Sequence, residues 1–291
     1  LTVNAQDVQI IGGTNPNSYS GLFTEGGSFY SKGDAGNLTI NTNKLLVQDG
    51  AKVDTSTYGG GKGGNLTVNA QDVQLIGSGD YFSSGLFSLT GNFSTGDAGN
   101  LTLSTNKLLI QNGAVVSTNT LAKGNGGKKT IDAQDVQLIG IGKNSQKSGL
   151  FTSAWNNSTG DAGDLTLSTN KLLVQDGAVV STETFNEGKG GNLTVNAQDV
   201  QLIGRSKDGQ NSGLFSSAAL SSTGDAGNLT LSTNKLLIRD GGIVSAGSRG
   251  RGKGGNLNID AQENVRLIGG SSGLLTTEPN SIVDAGDVNI T

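Results

Sequence analysis

A fifteen-residue phrase, Gly224-Asp225-Ala226-Gly227-Asn228-Leu229-Thr230-Leu231-Ser232-Thr233-Asn234-Lys235-Leu236-Leu237-Ile238, recurs almost unchanged from Gly33, Gly96 and Gly160. A related phrase, Gly-Gly-Asn-Leu-Thr-Val-Asn-Ala-Gln-Asp-Val-Gln-Leu-Ile-Gly, starts at Gly63 and Gly190, with altered copies at Gly126 and Gly254. Repetition at this spacing limits the fold to a solenoid-like array, in which each repeat buries its apolar face against its neighbours.

Taking the Leu of each Leu-Thr pair or its equivalent as the start, coils begin near 1, 38, 66, 101, 129, 165, 193, 229, 257 and 288. The intervals are 37, 28, 35, 28, 36, 28, 36, 28 and 31 residues. Short coils of 28 residues therefore alternate with long ones of 31–37, giving about nine coils in a single array over 1–291. The chain opens and closes at the same phase with no atypical sequence at either end. The expectation is a segment of a longer array, covered end to end by flanking repeats or by copies of itself.

Each coil reads as three short strands, because apolar and polar residues alternate at period two and glycine every few residues disfavours helix. The first strand is Leu38–Asn41 and its equivalents. The second is Lys44–Gln48 in short coils and Asp72–Ile76 in long ones. The third is Ala51–Thr55 in short coils and Ser84–Ser88 in long ones. The fold predicted is all-β: a right-handed parallel β-helix with three strands per coil, each strand pairing with its equivalent one coil away. The inward column is then Leu38 and Ile40, Leu66 and Val68, Leu101 and Leu103 in the first strand. It continues with Leu45, Val47, Val73 and Leu75 in the second, and Val53 on Leu86 and Val116 in the third. Strands roughly 4.8 Å apart would make a rod about 43 Å long.

Two outward columns follow. Seventh-position residues alternate in sign: Asp7, Lys44, Asp72, Lys107, Asp135, Lys171, Asp199, Lys235, Glu263. Such a charge ladder fixes register, since a slip of one coil sets like charges together; an ion-binding stripe is the weaker reading. A second column is asparagine, at Asn37, Asn65, Asn100, Asn192, Asn228 and Asn256, expected to form an amide ladder along the axis. It is interrupted at Lys128, Asp164 and Asp287, and Lys128 and Asp164 are expected to lie close as an ion pair. The Asn-Leu-Thr triplets also match a glycosylation sequon, an accidental match if the asparagines are structural.

The repeats differ mainly in two regions. One follows the second strand of long coils: Gly13–Ser20, Ser78–Ser84, Ile141–Ser148, Arg205–Ser212 and the shorter Gly270–Ser272. The other precedes each Gly-Asp-Ala-Gly. These are either tolerated insertions or binding loops on a rigid scaffold. Tyr19, Tyr30, Tyr81, Phe93 and Trp155 are the candidate contact residues. Phe23, Phe87, Phe151 and Phe215, and Leu46, Leu109, Leu173 and Leu237, should point outward. They read either as surfaces for lateral contacts or, preferably for the phenylalanines, as a satellite core beneath the long loops.

The chain lacks cysteine, methionine and histidine, so thiolate or imidazole chemistry is excluded. A net charge of −4 argues against nucleic acid, and no run reaches the roughly 18 apolar residues that insert into a membrane. The acids Asp34, Asp97, Asp161 and Asp225, and Asp49, Asp176 and Asp240, recur with the repeat. They read as turn chemistry rather than as a catalytic pair. Arg239, Arg249, Arg251 and Arg266 read as a basic edge. No catalytic residue, cofactor or metal is expected, and a glycan-active β-helix enzyme is the least favoured reading.

The phrases Gly-Asp-Ala-Gly-Asn-Leu-Thr, Lys-Leu-Leu-Val-Gln-Asp-Gly-Ala and Gly-Lys-Gly-Gly-Asn-Leu-Thr-Val resemble the repeat regions of filamentous-haemagglutinin-like exoproteins, especially the large cyanobacterial ones. The resemblance implies a right-handed β-helix and two-partner secretion through an outer-membrane β-barrel transporter. It also implies work outside the cell or at its surface, as an adhesive rod that touches surface glycans or other cells. A self-assembling extracellular filament is the alternative.

Overall fold

Apolar residues at every second position of a strand need a partner surface at each coil, and stacking coils supplies it. In the computed structural model, which describes residues 1–13, 20–27, 31–77, 82–143, 145–155, 158–277 and 283–291, every strand–strand ladder is parallel. The chain is an all-β, right-handed parallel β-helix. Among the described residues it has two sheets, one of 13 strands and one of 9. None of these residues is helical, so no helix is long and apolar enough to cross a membrane.

The register joins Leu38 to Leu66, Leu66 to Leu101, Leu101 to Lys129 and Lys129 to Leu165. It continues through Leu193, Leu229, Leu257 and Val288. The first three coils keep separate first and second strands, such as Leu38–Asn41 and Lys44–Gln48. From Leu101 onward the two join, as in Leu101–Gln111 and Lys129–Ile139. A corner persists inside the joined strand. Asn106 and Lys107 are both exposed, so the in–out alternation resets there, and Thr105 Oγ1 donates to the Lys107 carbonyl at 3.1 Å across the bend.

The interior is one aliphatic column. In the coil from Leu101, the residues Leu101, Leu103, Leu108, Ile110, Ala114 and Val116 are each 0% exposed. Burial of this kind contributes roughly 1.5–3 kcal/mol per large side chain.

Glycine recurs where coils approach most closely. A Cβ on Gly99 would lie 2.0 Å from the carbonyl oxygen of Gly64, and one on Gly163 2.0 Å from that of Gly127. No side chain fits there. The Asp-Gly and Asn-Gly turns are a separate matter: Asp49, Asn112, Asp176 and Asp240 take φ of 55–57°, which Asn and Asp tolerate best among non-glycine residues.

Candidate functional site

The outward columns hold the coils in register by means that differ from the sequence expectation. Asp7 to Lys235 do stand opposite one another in alternating sign. Yet among them no pair closes to an ion pair. The aspartates are held along their own strands, with Gln74, Gln137 and Gln201 donating to Asp72, Asp135 and Asp199 at 2.8–3.1 Å. Glu263 is not in the column. An extra residue in the strand Leu257–Ile268 bulges the register after Thr233 and sets Asn264 opposite Lys235. Glu263 still reaches Lys235 from the bulge, at 3.2 Å.

The asparagine column also bonds differently from an amide stack. Each side chain accepts from the backbone N–H of the next coil. Asn37 Oδ1 accepts from Asn65 N at 2.8 Å, Asn65 from Asn100 at 2.9 Å and Asn100 from Lys128 at 2.9 Å. Lys128 offers no acceptor. Asp164 restarts the chain by accepting from Asn192 N at 3.0 Å, and Asn192, Asn228 and Asn256 continue it to Asp287. Lys128 and Asp164 are neighbouring rungs, since Lys129 pairs with Leu165. They form no ion pair within 4.0 Å among the described residues, because the carboxylate is turned to the following coil.

Two ladders went unforeseen. The Gly-Asp-Ala-Gly aspartates do the same work three residues earlier: Asp34 accepts from Lys62 N, Asp97 from Asn125 N, Asp161 from Lys189 N and Asp225 from Lys253 N, at 2.8–2.9 Å. True amide stacking occurs in another column, where Asn69 donates to Asn41 and Asn41 to Asn4, each at 2.8 Å. Its signal was the asparagine three places after the Leu of Leu-Thr.

The expected leucine row is not a continuous apolar surface. Leu46, Leu109, Leu173 and Leu237 are half-buried, and on the paired coils Gln74, Gln137 and Gln201 stand opposite Leu46, Leu109 and Leu173. The phenylalanines do lie on the outer face of the second sheet. Their rings fold back over the glycine two residues earlier: a Cβ on Gly149 would meet the Phe151 ring at 3.3 Å, and one on Gly213 the Phe215 ring at 3.0 Å. Phe87 is 8% exposed.

That face carries a polar-and-aromatic cluster. In the short coil from Leu38, Lys52 and Asp54 stand where later short coils have Val115 and Ser117 or Val179 and Ser181. Lys52 lies over the Phe82 ring at 4.7 Å and the Phe87 ring at 5.4 Å. Burial lowers the Lys52 pKa against the opposing pull of Asp54 and Glu25. Burial likewise raises Asp54, whose Oδ1 accepts from Ser56 N at 2.8 Å, and raises Glu25, with Asp54 adding to it. Further along, burial lowers the Lys147 pKa beside Glu183.

Two coils later the face opens into a cavity of about 350 Å³, whose lining reaches back to Lys52 and Phe82. Val115, Ser117, Asn119 and Leu121 form its floor; Phe87 and Phe151 flank Ser117 in register. Trp155 lies at the rim, 37% exposed and stacked on Phe185 with centroids 5.0 Å apart. Beneath the floor, Lys129 occupies the core position of Leu101 and Leu165 at 1% exposure. Its amino group donates to the carbonyls of Val116 at 2.5 Å and Phe151 at 2.6 Å.

Of the other loop residues, Phe93 is 69% exposed and apart from the cavity. Tyr19, Tyr30 and Tyr81 lie outside the described residues. Of the arginines, Arg239 pairs with its neighbour Asp240 at 3.7 Å. No group of three or more acids, histidines or cysteines that could hold a metal occurs among the described residues. Comparison with protein-family models, curated proteins and solved structures returns no match.

Proposed function

We propose that the chain is a stiff structural and adhesive rod of an exoprotein, working outside the cell or at its surface. The observation that carries this reading is the division of labour within each coil. The first sheet repeats with little variation. The variable segments lead into and out of the strands of the second sheet, after Ile76, Ile139 and Ile203 and again after Phe87, Phe151 and Phe215. A rigid scaffold that confines its variation to one face is built for display. The resemblance of the repeat phrases to those of filamentous-haemagglutinin-like exoproteins supports export through an outer-membrane transporter and contact with other surfaces. The acids recur as backbone acceptors in every second coil, which favours a structural role for them over a catalytic one.

Two experiments test this. Antibody labelling of intact against permeabilised source cells should find the chain outside; labelling only after permeabilisation would overturn the location. Beads coated with the purified chain should adhere to cell or matrix surfaces, and scrambling the segments bordering the second sheet should abolish it. Adhesion that survives the scramble would sink the display reading.

A further inference from the structure

The four short coils each leave a valley on the outer face of the second sheet, between the phenylalanines of the flanking long coils in three of them and between Phe215 and Leu275 in the last. In three of the four valleys the central polar side chain has a partner. Asp54 accepts from Ser56 N; Ser181 Oγ donates to Glu183 at 2.7 Å; Ser245 Oγ accepts from Gly247 N at 3.1 Å and lies 3.2 Å from Ser217 Oγ. In the fourth it has none. Ser117 is 4% exposed, lines the cavity, and its hydroxyl has no hydrogen-bond partner. A buried hydroxyl left unpaired is costly. This is also where the chain departs from its own core rule, with Lys129 under the floor tying Val116 to Phe151.

We propose that this cavity binds one ring of a neutral glycan. Its volume suits a small ligand. The walls offer ring faces from Phe87, Phe151 and Trp155, which call for C–H surface. The floor and rim offer Asn119 and Gln146, with Ser117 Oγ just beneath the surface and able to meet a ligand by rotation about its Cα–Cβ bond. Asn119 Oδ1 already accepts from Ser153 N at 2.6 Å, which leaves its Nδ2 for a ligand. Gln146 donates to the Lys147 carbonyl at 3.3 Å, which leaves its Oε1.

A pyranose supplies both halves, an apolar face and hydroxyls around the edge. A hydrocarbon would leave Ser117 unpaired. An ion would be desolvated with no counter-charge of its own, since Lys52 already faces Asp54 and Glu25. A peptide strand could not extend the sheet, because Val115–Ser117 is paired on both sides. The proposal rests on the reading of this face as the contact face and names what it contacts.

Trp155 is the only tryptophan, so its emission reports the rim directly. The purified chain is titrated with neutral gluco-, manno-, galacto-, xylo- and N-acetylglucosamine oligosaccharides, by fluorescence and by calorimetry. One of them should give a saturable shift with one site per chain. Ser117→Ala and Asn119→Ala should each bind about tenfold more weakly, and Trp155→Ala should lose binding by calorimetry. Leu220→Ala, at an exposed site away from the cavity, should bind as the parent does. Unfolding midpoints confirm that each variant folds; Ser117→Ala should match or exceed the parent.

No response to any oligosaccharide, or binding that Ser117→Ala and Asn119→Ala leave intact, overturns the proposal. Bead adhesion separates the two readings. Adhesion without sugar binding sinks this pocket and spares the rod; sugar binding without adhesion does the reverse.

Discussion

Lys129 Nζ donates to the carbonyl oxygen of Phe151 at 2.6 Å, from inside the same sheet whose outer face carries Ser117. The position belongs to leucine in the coils on either side, and burial without a counter-charge holds the Lys129 pKa well below its ordinary 10.5. Between that lowered value and 10.5, the unfolded chain carries a proton that the folded chain lacks. Stability must therefore rise with pH across this window. Lys129→Leu should raise stability at neutral pH by about 2 kcal/mol and flatten the rise. Denaturant unfolding at neutral and alkaline pH measures both; a less stable Leu variant would show that the two carbonyl bonds outweigh the cost of burial.

Gly163→Ala should be among the most damaging small substitutions in the chain. Its methyl group would stand 2.0 Å from the Gly127 carbonyl oxygen, in a column where Gly99, Gly191 and Gly227 are equally crowded. Forcing two coils apart should cost about 3 kcal/mol. A midpoint within error of the parent in thermal unfolding would contradict the packing described.

Asn228 accepts from Asn256 N at 2.9 Å, so Asn228→Ala should lose about 1 kcal/mol. Asn228→Asp should be nearly neutral, because it keeps the acceptor oxygen, its neighbours in the column are amides, and Asp164 already does this work two coils away. Equal losses in the two variants would argue that shape, and not the acceptor oxygen, holds the column.

Lys171 stands between Asp135 and Asp199 without an ion pair to either. Lys171→Ala should therefore change stability by no more than about 0.5 kcal/mol. Lys171→Asp would place three acids in a row and should cost about 1 kcal/mol at low salt. High salt should recover most of it. A large loss for the alanine variant would mean the ladder binds far more tightly than its geometry allows.

The coil boundaries, the pairing register and the aliphatic interior were legible in the sequence, since period-two alternation and the repeat fix them together. What the columns do was less legible. Both modes of bonding satisfy an Asn-to-Asn spacing of one coil, so spacing alone could not separate amide stacking at Asn41 and Asn69 from side chain to backbone bonding at Asn65 and Asn100. The bulge at Glu263 is written in the sequence, where Ala261-Gln262-Glu263-Asn264-Val265 carries one residue more than Ala197-Gln198-Asp199-Val200, but counting seven places from the start of each coil passes over it. The cavity was invisible for another reason. Trp155 stood out as a loop residue, but Ser117 is one of a row of serines in equivalent coils and differs only in lacking a partner.

The alternation of sign along Asp7 to Lys235 has a consequence for how the molecule could grow or shrink. Removing the single coil from Lys129 to Asp164 would bring Lys107 against Lys171 and put two short coils side by side, erasing the wall that Phe151 provides. Removing two consecutive coils would keep the alternation of sign and the alternation of short with long coils. The rod therefore has a parity: it changes length without breaking either alternation only in steps of two, and each such step adds or deletes one valley.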